Sequence, residues 1–119
     1  MKMTLELANN IQKMRRRFAW DFTPEDFAAT IKYEGGEYVQ VIDMDTLSYD
    51  ADRGESYWEA IAVRLGDEID EDGWAPIYNI IWYLDHPDKT DGDEVDDWES
   101  PSDIEANVGE IRISDGRIA

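Results

Sequence analysis

The chain has 119 residues, with 29 acidic side chains against 11 basic ones, and a net charge of −18. Hydrophobic residues make up 42% and aromatics 12%, which argues for a core and against a disordered acidic tail, and the length fits one domain. The absence of cysteine excludes disulfide scaffolds, thiolate metal sites, iron–sulfur clusters and thiol nucleophiles, and a single histidine, His86, excludes multi-histidine metal sites and a His–His catalytic pair.

The first predicted element is a helix over about 4–18, with Leu7, Ile11, Met14 and Phe18 on one stripe. Arg15, Arg16 and Arg17 fall in its last turn, where cations complement the helix dipole. Thr23, Pro24 and Asp26 read as cap, first helical residue and capping acid of a second helix. Phe22 and Phe27 have the spacing of a hydrophobic staple, and this helix is expected to reach Lys32. Gly35-Gly36 then suits a two-residue hairpin turn between Thr30–Glu34 and Glu37–Ile42. Tyr38 to Ile42 has strong strand propensity, and Thr46–Tyr49 extends that strand or forms a third.

Ser56 and Glu59 predict the start of a third helix, with Trp58, Ile61 and Leu65 on one face and Gly66 just past its end. Asp67–Gly73 is an acidic loop. Pro76–Leu84 matches helical spacing at Ile77, Ile80, Ile81 and Leu84, although its composition also suits a strand; helix is the expectation. His86-Pro87 ends that element, and an acidic loop follows over about 85–100. Ser100-Pro101-Ser102-Asp103 predicts a short helix to about Asn107. Glu110–Ser114 is a strand, and Asp115-Gly116 turns it into a stub over Arg117–Ala119. The expected fold is α+β over residues 1–119: three to four helices packed on a small antiparallel β-sheet, in a single compact domain.

No secretory signal is visible at the N-terminus. The apolar run Ile77–Leu84 is far short of the ~20 residues a membrane span needs. A soluble cytoplasmic protein is expected. Direct nucleic-acid binding is disfavoured, because phosphate contact needs positive surface.

The charge is uneven. Residues 1–17 carry five bases and one acid, whereas residues 18–119 carry 28 acids and six bases. Within the latter, residues 85–105 hold ten acids and one base, Lys89. A duplex carries one negative charge per ~1.7 Å of axis, so the net charge equals that of roughly 30 Å of DNA. A folded chain of this size has a diameter of about 35 Å. The charge density therefore resembles that of a duplex segment, and such a protein can occupy a basic groove. The plain alternative is that acidity serves solubility or adaptation to high salt.

The densest acidic run is Asp91, Asp93, Glu94, Asp96, Asp97 and Glu99, with Trp98 as a candidate anchor in a partner's pocket. Asp67, Glu68, Asp70, Glu71 and Asp72 form the second candidate surface. The bland alternative for Trp98 is attachment of the loop to the protein's own core. Neither acidic loop has the residue spacing of a calcium-binding EF-hand loop. An EF-hand register on Gly73 puts Asn79 where a bidentate Glu is needed, and one on Gly92 puts Pro87 first. Neither fits, and no metal or cofactor is expected. Asp43 and Asp45 are two apart, but no second histidine, phosphate loop or nucleophile turn completes a catalytic set. His86 reads as a loop histidine, and the chain is expected not to be an enzyme.

Arg15–Arg17 either caps a solvated helix end or meets the acidic face of a second copy in a homodimer. Together these features point to a small acidic inhibitor. It mimics nucleic-acid charge and blocks the basic groove of a DNA- or RNA-binding protein or nuclease complex. Phage or mobile-element counter-defence, anti-restriction or anti-CRISPR, is the setting that fits. The alternatives are an immunity protein or antitoxin neutralising a basic nuclease toxin, a carboxylate enzyme or cation-dependent module, and an acidic housekeeping protein of a salt-adapted cell.

Overall fold

A computed structural model describes residues 1–15, 30–43, 48–50, 55–83 and 101–119. Among them are one helix, α1 (Leu5–Arg15), and eight strands. The strands are β1 (Thr30–Tyr33), β2 (Gly36–Asp43), β3 (Ser48–Asp50), β4 (Glu55–Arg64), β5 (Trp74–Pro76), β6 (Tyr78–Tyr83), β7 (Asp103–Glu105) and β8 (Glu110–Arg112). The main sheet is antiparallel in the order β1-β2-β4-β6-β7, with β3 pairing the start of β4. β5 and β8 form a second, two-stranded sheet. The expected set of three to four helices packed on a sheet is therefore overturned, and the described residues are mostly sheet.

The helix α1 is the expected one, and Thr4 Oγ1 caps it by accepting from the Leu7 amide at 3.2 Å. It lays Ala8, Ile11 and the partly buried Leu7 and Met14 on the sheet. Phe18, Arg16, Arg17 and the caps at Thr23, Pro24 and Asp26 lie outside the described residues. The expected second helix does not reach Lys32, because Thr30–Tyr33 is β1. The hairpin from β1 to β2 forms one residue earlier than Gly35-Gly36 suggests. Glu34 and Gly35 are its central residues, both with positive φ (46° and 83°), and Tyr33 pairs with Gly36. Two successive positive φ angles are the signature of the turn whose twist matches the strands.

The expected third helix, from Ser56 through Trp58, Glu59 and Ile61 to Leu65, is β4 through Arg64. Its apolar residues satisfy both periods. Read at period two, Ile61 and Val63 point to the side that carries α1, whereas Ala60 and Ala62 point to the other. Both sides are buried, so the strand alternates large with small instead of apolar with polar. Pro76–Leu84 fails as a helix for the same reason. Its described part is the end of β5 plus β6, where Asn79 to Trp82 are buried on both faces. The helix expected from Ser100 to Asn107 is the short strand β7, paired to β6 through Ile104 and Ile80. The C-terminal reading holds: β8 turns at Asp115-Gly116, and Arg117–Ala119 returns alongside it. Gly109, at φ 148°, lies where an added Cβ would stand 2.9 Å from the Ala119 carbonyl oxygen.

The sheet has two unlike sides. One cluster joins Met3, Ala8 and Ile11 to Val39, Val41, Val63, Ile77 and Ile111, beneath α1 and the β5–β8 pair. The other draws on all five strands in order: Ile31, Tyr38, Ala60, Ala62, Ile80 and Trp82, with Tyr33 and Ile104 at its margins. The two edge strands approach each other, and the Tyr33 hydroxyl donates to Asp103 Oδ1 at 3.4 Å. The sheet thus curls around this second cluster.

Curling requires little bulk at the middle of the inner side, and Ala60 and Ala62, both fully buried, provide it. A bulge in β2 between Gln40 and Ile42 adds bend. There the Gln40 carbonyl accepts from Gln12 Nε2 of α1 at 2.6 Å, which ties the helix to the bent strand. Ala60→Leu is expected to overpack this inner side and destabilise the fold by about 1–3 kcal/mol. Urea unfolding monitored by tryptophan fluorescence measures that loss.

Candidate functional site

The acidic surface is the feature the sequence singled out. Thirteen acids have described side chains: eleven are exposed, Glu59 and Asp67 are half-buried, and none is buried. Ion pairs engage few of them. Among the described residues, Glu68 lies 3.7 Å from the Met1 amino group and 4.0 Å from Lys2 Nζ, and Asp115 pairs with Arg112.

The acidic stretch Asp67–Asp72 is divided between structure and surface. Asp67 accepts the Tyr78 hydroxyl, and burial together with this bond pushes that hydroxyl up to about 12. Tyr78 meets Tyr38 edge-on at 5.2 Å, and the Arg64 guanidinium lies over Tyr38. Glu68 sits where the first residues pair with the loop, for Met3 donates to the Asp67 carbonyl and Gly66 to the Met3 carbonyl. Asp70 Oδ1 accepts from the amides of both Asp72 and Trp74 at 2.9 Å, closing the turn before β5. The carboxylates of Glu71 and Asp72 are exposed and have no partner among the described residues. The expected surface thus resolves into three acids with local duties and two with none.

Beside this turn, the Arg112 guanidinium stacks over Trp74 at 5.4 Å and binds Asp115 through two nitrogens. That contact, supported by the Arg117 amide, lowers the Asp115 carboxyl to about 2. Periodicity gave no hint of this contact, although the spacing Arg112 to Asp115 around a turn is visible in the sequence.

A second arrangement was missed because Asn79 carries no charge. Asn79, on β6, is 9% exposed, and its Nδ2 donates to Glu59 Oε2 on β4 at 2.6 Å. Its Oδ1 is buried and has no hydrogen-bond partner. An unmet buried acceptor costs about 1–3 kcal/mol. Across the next ladder, Asn79 stands opposite Glu105 of β7.

Asp91, Asp93, Glu94, Asp96, Asp97, Trp98 and Glu99 lie outside the described residues, as do His86, Asp45, Arg16 and Arg17. Asp43 ends β2 and Arg15 ends α1. Among the described residues, no three His, Cys, Asp or Glu side chains form a group able to hold a metal, and no helix is long and apolar enough to cross a membrane. No protein-family model, curated protein or solved structure matches the chain.

Removing Asp70 should cost far more than removing its neighbours. Asp70→Ala is expected to lower stability by about 1–2 kcal/mol through its two lost hydrogen bonds. Glu71→Gln and Asp72→Asn should change it by at most about 0.5 kcal/mol; thermal melts of the three variants measure the contrast. The Asp115 carboxyl should titrate near 2 instead of at the ordinary 3.8. Because its folded value is depressed, the contact stabilises above pH 3.8 and the stability is lost as pH falls toward 2. Carboxyl-detected NMR titration should show this, with Arg112→Gln raising the value toward the ordinary one and the Arg117 amide retaining part of the depression.

Proposed function

We propose that the protein is an anionic decoy that occupies the basic groove of a nucleic-acid-binding protein. The observation that carries the proposal is the exposure of eleven of the thirteen described acids with only two acids, Glu68 and Asp115, in ion pairs among the described residues. Charge held this way is directed outward and is unneutralised, the condition for electrostatic steering. Over its longest dimension of 46 Å the chain bears a net −18. That is one charge per about 2.5 Å, against one per ~1.7 Å of duplex.

In this role the acids need no catalytic partner. Glu71 and Asp72 belong to the recognition surface because no local contact consumes them. Asp67, Glu68 and Asp70 serve the fold first. The run Asp91 to Glu99 supplies the densest remaining charge, with Trp98 as its aromatic anchor. The partner class is a basic nuclease or other DNA- or RNA-binding protein, and counter-defence against restriction or CRISPR machinery is the setting such a decoy suits.

The test is an affinity capture from bacterial lysate at about 50 mM salt, repeated at about 500 mM and with excess duplex DNA. Nucleic-acid-binding proteins should be retained at low salt and released by either competitor. Glu71→Lys with Asp72→Lys should weaken retention, and reversal of Asp91, Asp93, Glu94, Asp96, Asp97 and Glu99 should abolish it. Retention of one protein indifferent to salt and DNA would instead favour a cognate toxin as partner. Retention unchanged by the reversed variants would sink the decoy reading.

A further inference from the structure

Apart from any decoy role, the edge of the main sheet at β7 is closed by one of its own side chains. On β6 the Ile81 carbonyl accepts from the Ser102 amide, and the Tyr83 amide donates to Ser102 Oγ. The odd-numbered residues of β6 therefore direct their backbone groups toward β7. Two of them, Ile81 and Asn79, stand opposite Asp103 and Glu105. Successive residues of a strand direct their backbone groups to opposite sides. Ile104, between Asp103 and Glu105, thus turns its amide and carbonyl away from β6. On that side β7 pairs with no strand among the described residues.

An outward amide of this kind is where a further strand attaches. Here it is occupied. Asp103 Oδ1 accepts the Ile104 amide at 2.8 Å, close to the length of a ladder bond. The carboxylate oxygen stands where the carbonyl oxygen of a neighbouring strand would stand. The same oxygen accepts the Tyr33 hydroxyl of β1, so it faces the gap between the two sheet edges. Asp103 and Glu105 are exposed and Ile104 is half-buried, so burial alone does not close this edge.

A second copy of the chain carries the same edge. Antiparallel pairing of β7 with itself about Ile104 sets the two Ile104 residues opposite each other, exchanging both backbone bonds. It also sets Asp103 of each copy opposite Glu105 of the other, and like charges directly opposed are destabilising. Charge and the hydrogen bond thus act together against self-pairing. We propose that the bond from the Ile104 amide to Asp103 Oδ1 is an autoinhibitory contact, which, beyond the charge of the carboxylate, keeps β7 from pairing with β7 of a second copy.

The experiment uses the full chain at up to about 1 mM in about 1 M sodium chloride, where a Debye length of about 3 Å removes most of the charge repulsion. Light scattering reads the mass, and NMR reads hydrogen exchange at the Ile104 amide. In the parent chain this exchange should be independent of protein concentration. In Asp103→Ala it should be severalfold faster in dilute solution, then slow as the concentration and the mass rise. Asp103→Val, a better strand former, should do the same at lower concentration. Asp103→Asn removes the charge but keeps an acceptor oxygen, and should behave like the parent. Association of Asp103→Asn as readily as Asp103→Ala would show that charge alone guards the edge, and would overturn the proposal. So would Ala and Val variants whose Ile104 exchange ignores concentration. Because Ile104 is read directly, association through another surface does not imitate the expected result. Neither result bears on the decoy reading, which is tested by groove capture.

Discussion

Ala60 and Ala62 each present a single methyl group to the inner side of the sheet, and the neighbouring strands bend over them. The larger inner residues, Tyr38, Ile80 and Trp82, then converge, and the edges of the sheet come within reach of each other through Tyr33 and Asp103. With that side occupied by the sheet itself, α1 and the β5–β8 pair cover the other. Larger residues at positions 60 and 62 would hold the strands apart, and a chain of this size has little apolar surface to spare for two open faces.

Against this compact interior stands a surface that repels itself. Several acids are drawn into local work: Asp67 anchors Tyr78, Asp70 closes a turn, Asp103 links the sheet edges, and Asp115 holds Arg112 over Trp74. These contacts use acids as hydrogen-bond acceptors more than as ion-pair partners, so the negative charge remains. Asp103 also accepts the Ile104 amide at the sheet edge. A short edge strand flanked by acids resists pairing with other chains, so charge here protects solubility as well as shape.

The parts of the fold legible in the sequence are those where a single face is buried or the turn chemistry is local. α1 shows its stripe through Leu7, Ile11 and Met14, the Asp115–Gly116 return shows its turn residues, and the β1–β2 hairpin is legible from its glycines although its turn is Glu34–Gly35 and not Gly35–Gly36. β4 and β6 resemble helices in sequence because both of their faces are buried. With no polar face to mark period two, Trp58, Ile61 and Leu65, or Ile77, Ile80 and Ile81, fall equally well on a helix. The β-branched and aromatic content of Tyr57 to Val63 was the better guide, since capping pairs such as Ser56 and Glu59 also occur by chance at strand starts. At the candidate surface, residue type revealed the acids but not their duties. Asp70 and Asp72 look alike in sequence, and only the fold distinguishes the acid inside the turn from the one outside it. Asn79 carries no mark in the sequence, because its part in the fold comes from burial and from its hydrogen bond to Glu59 on the neighbouring strand.

The outward, unneutralised charge is the premise on which the functional account rests, and the salt dependence of the melting temperature tests it most directly. If the acids repel one another at the surface, the melting temperature should climb steeply between about 10 mM and 150 mM sodium chloride. It should then level off as the Debye length falls below about 8 Å. A flat or falling curve over that range would mean that the acids are already compensated within the fold, and would contradict the account. A rise continuing undiminished into molar salt would also contradict it, since screening saturates long before that and only a chain adapted to high salt keeps gaining.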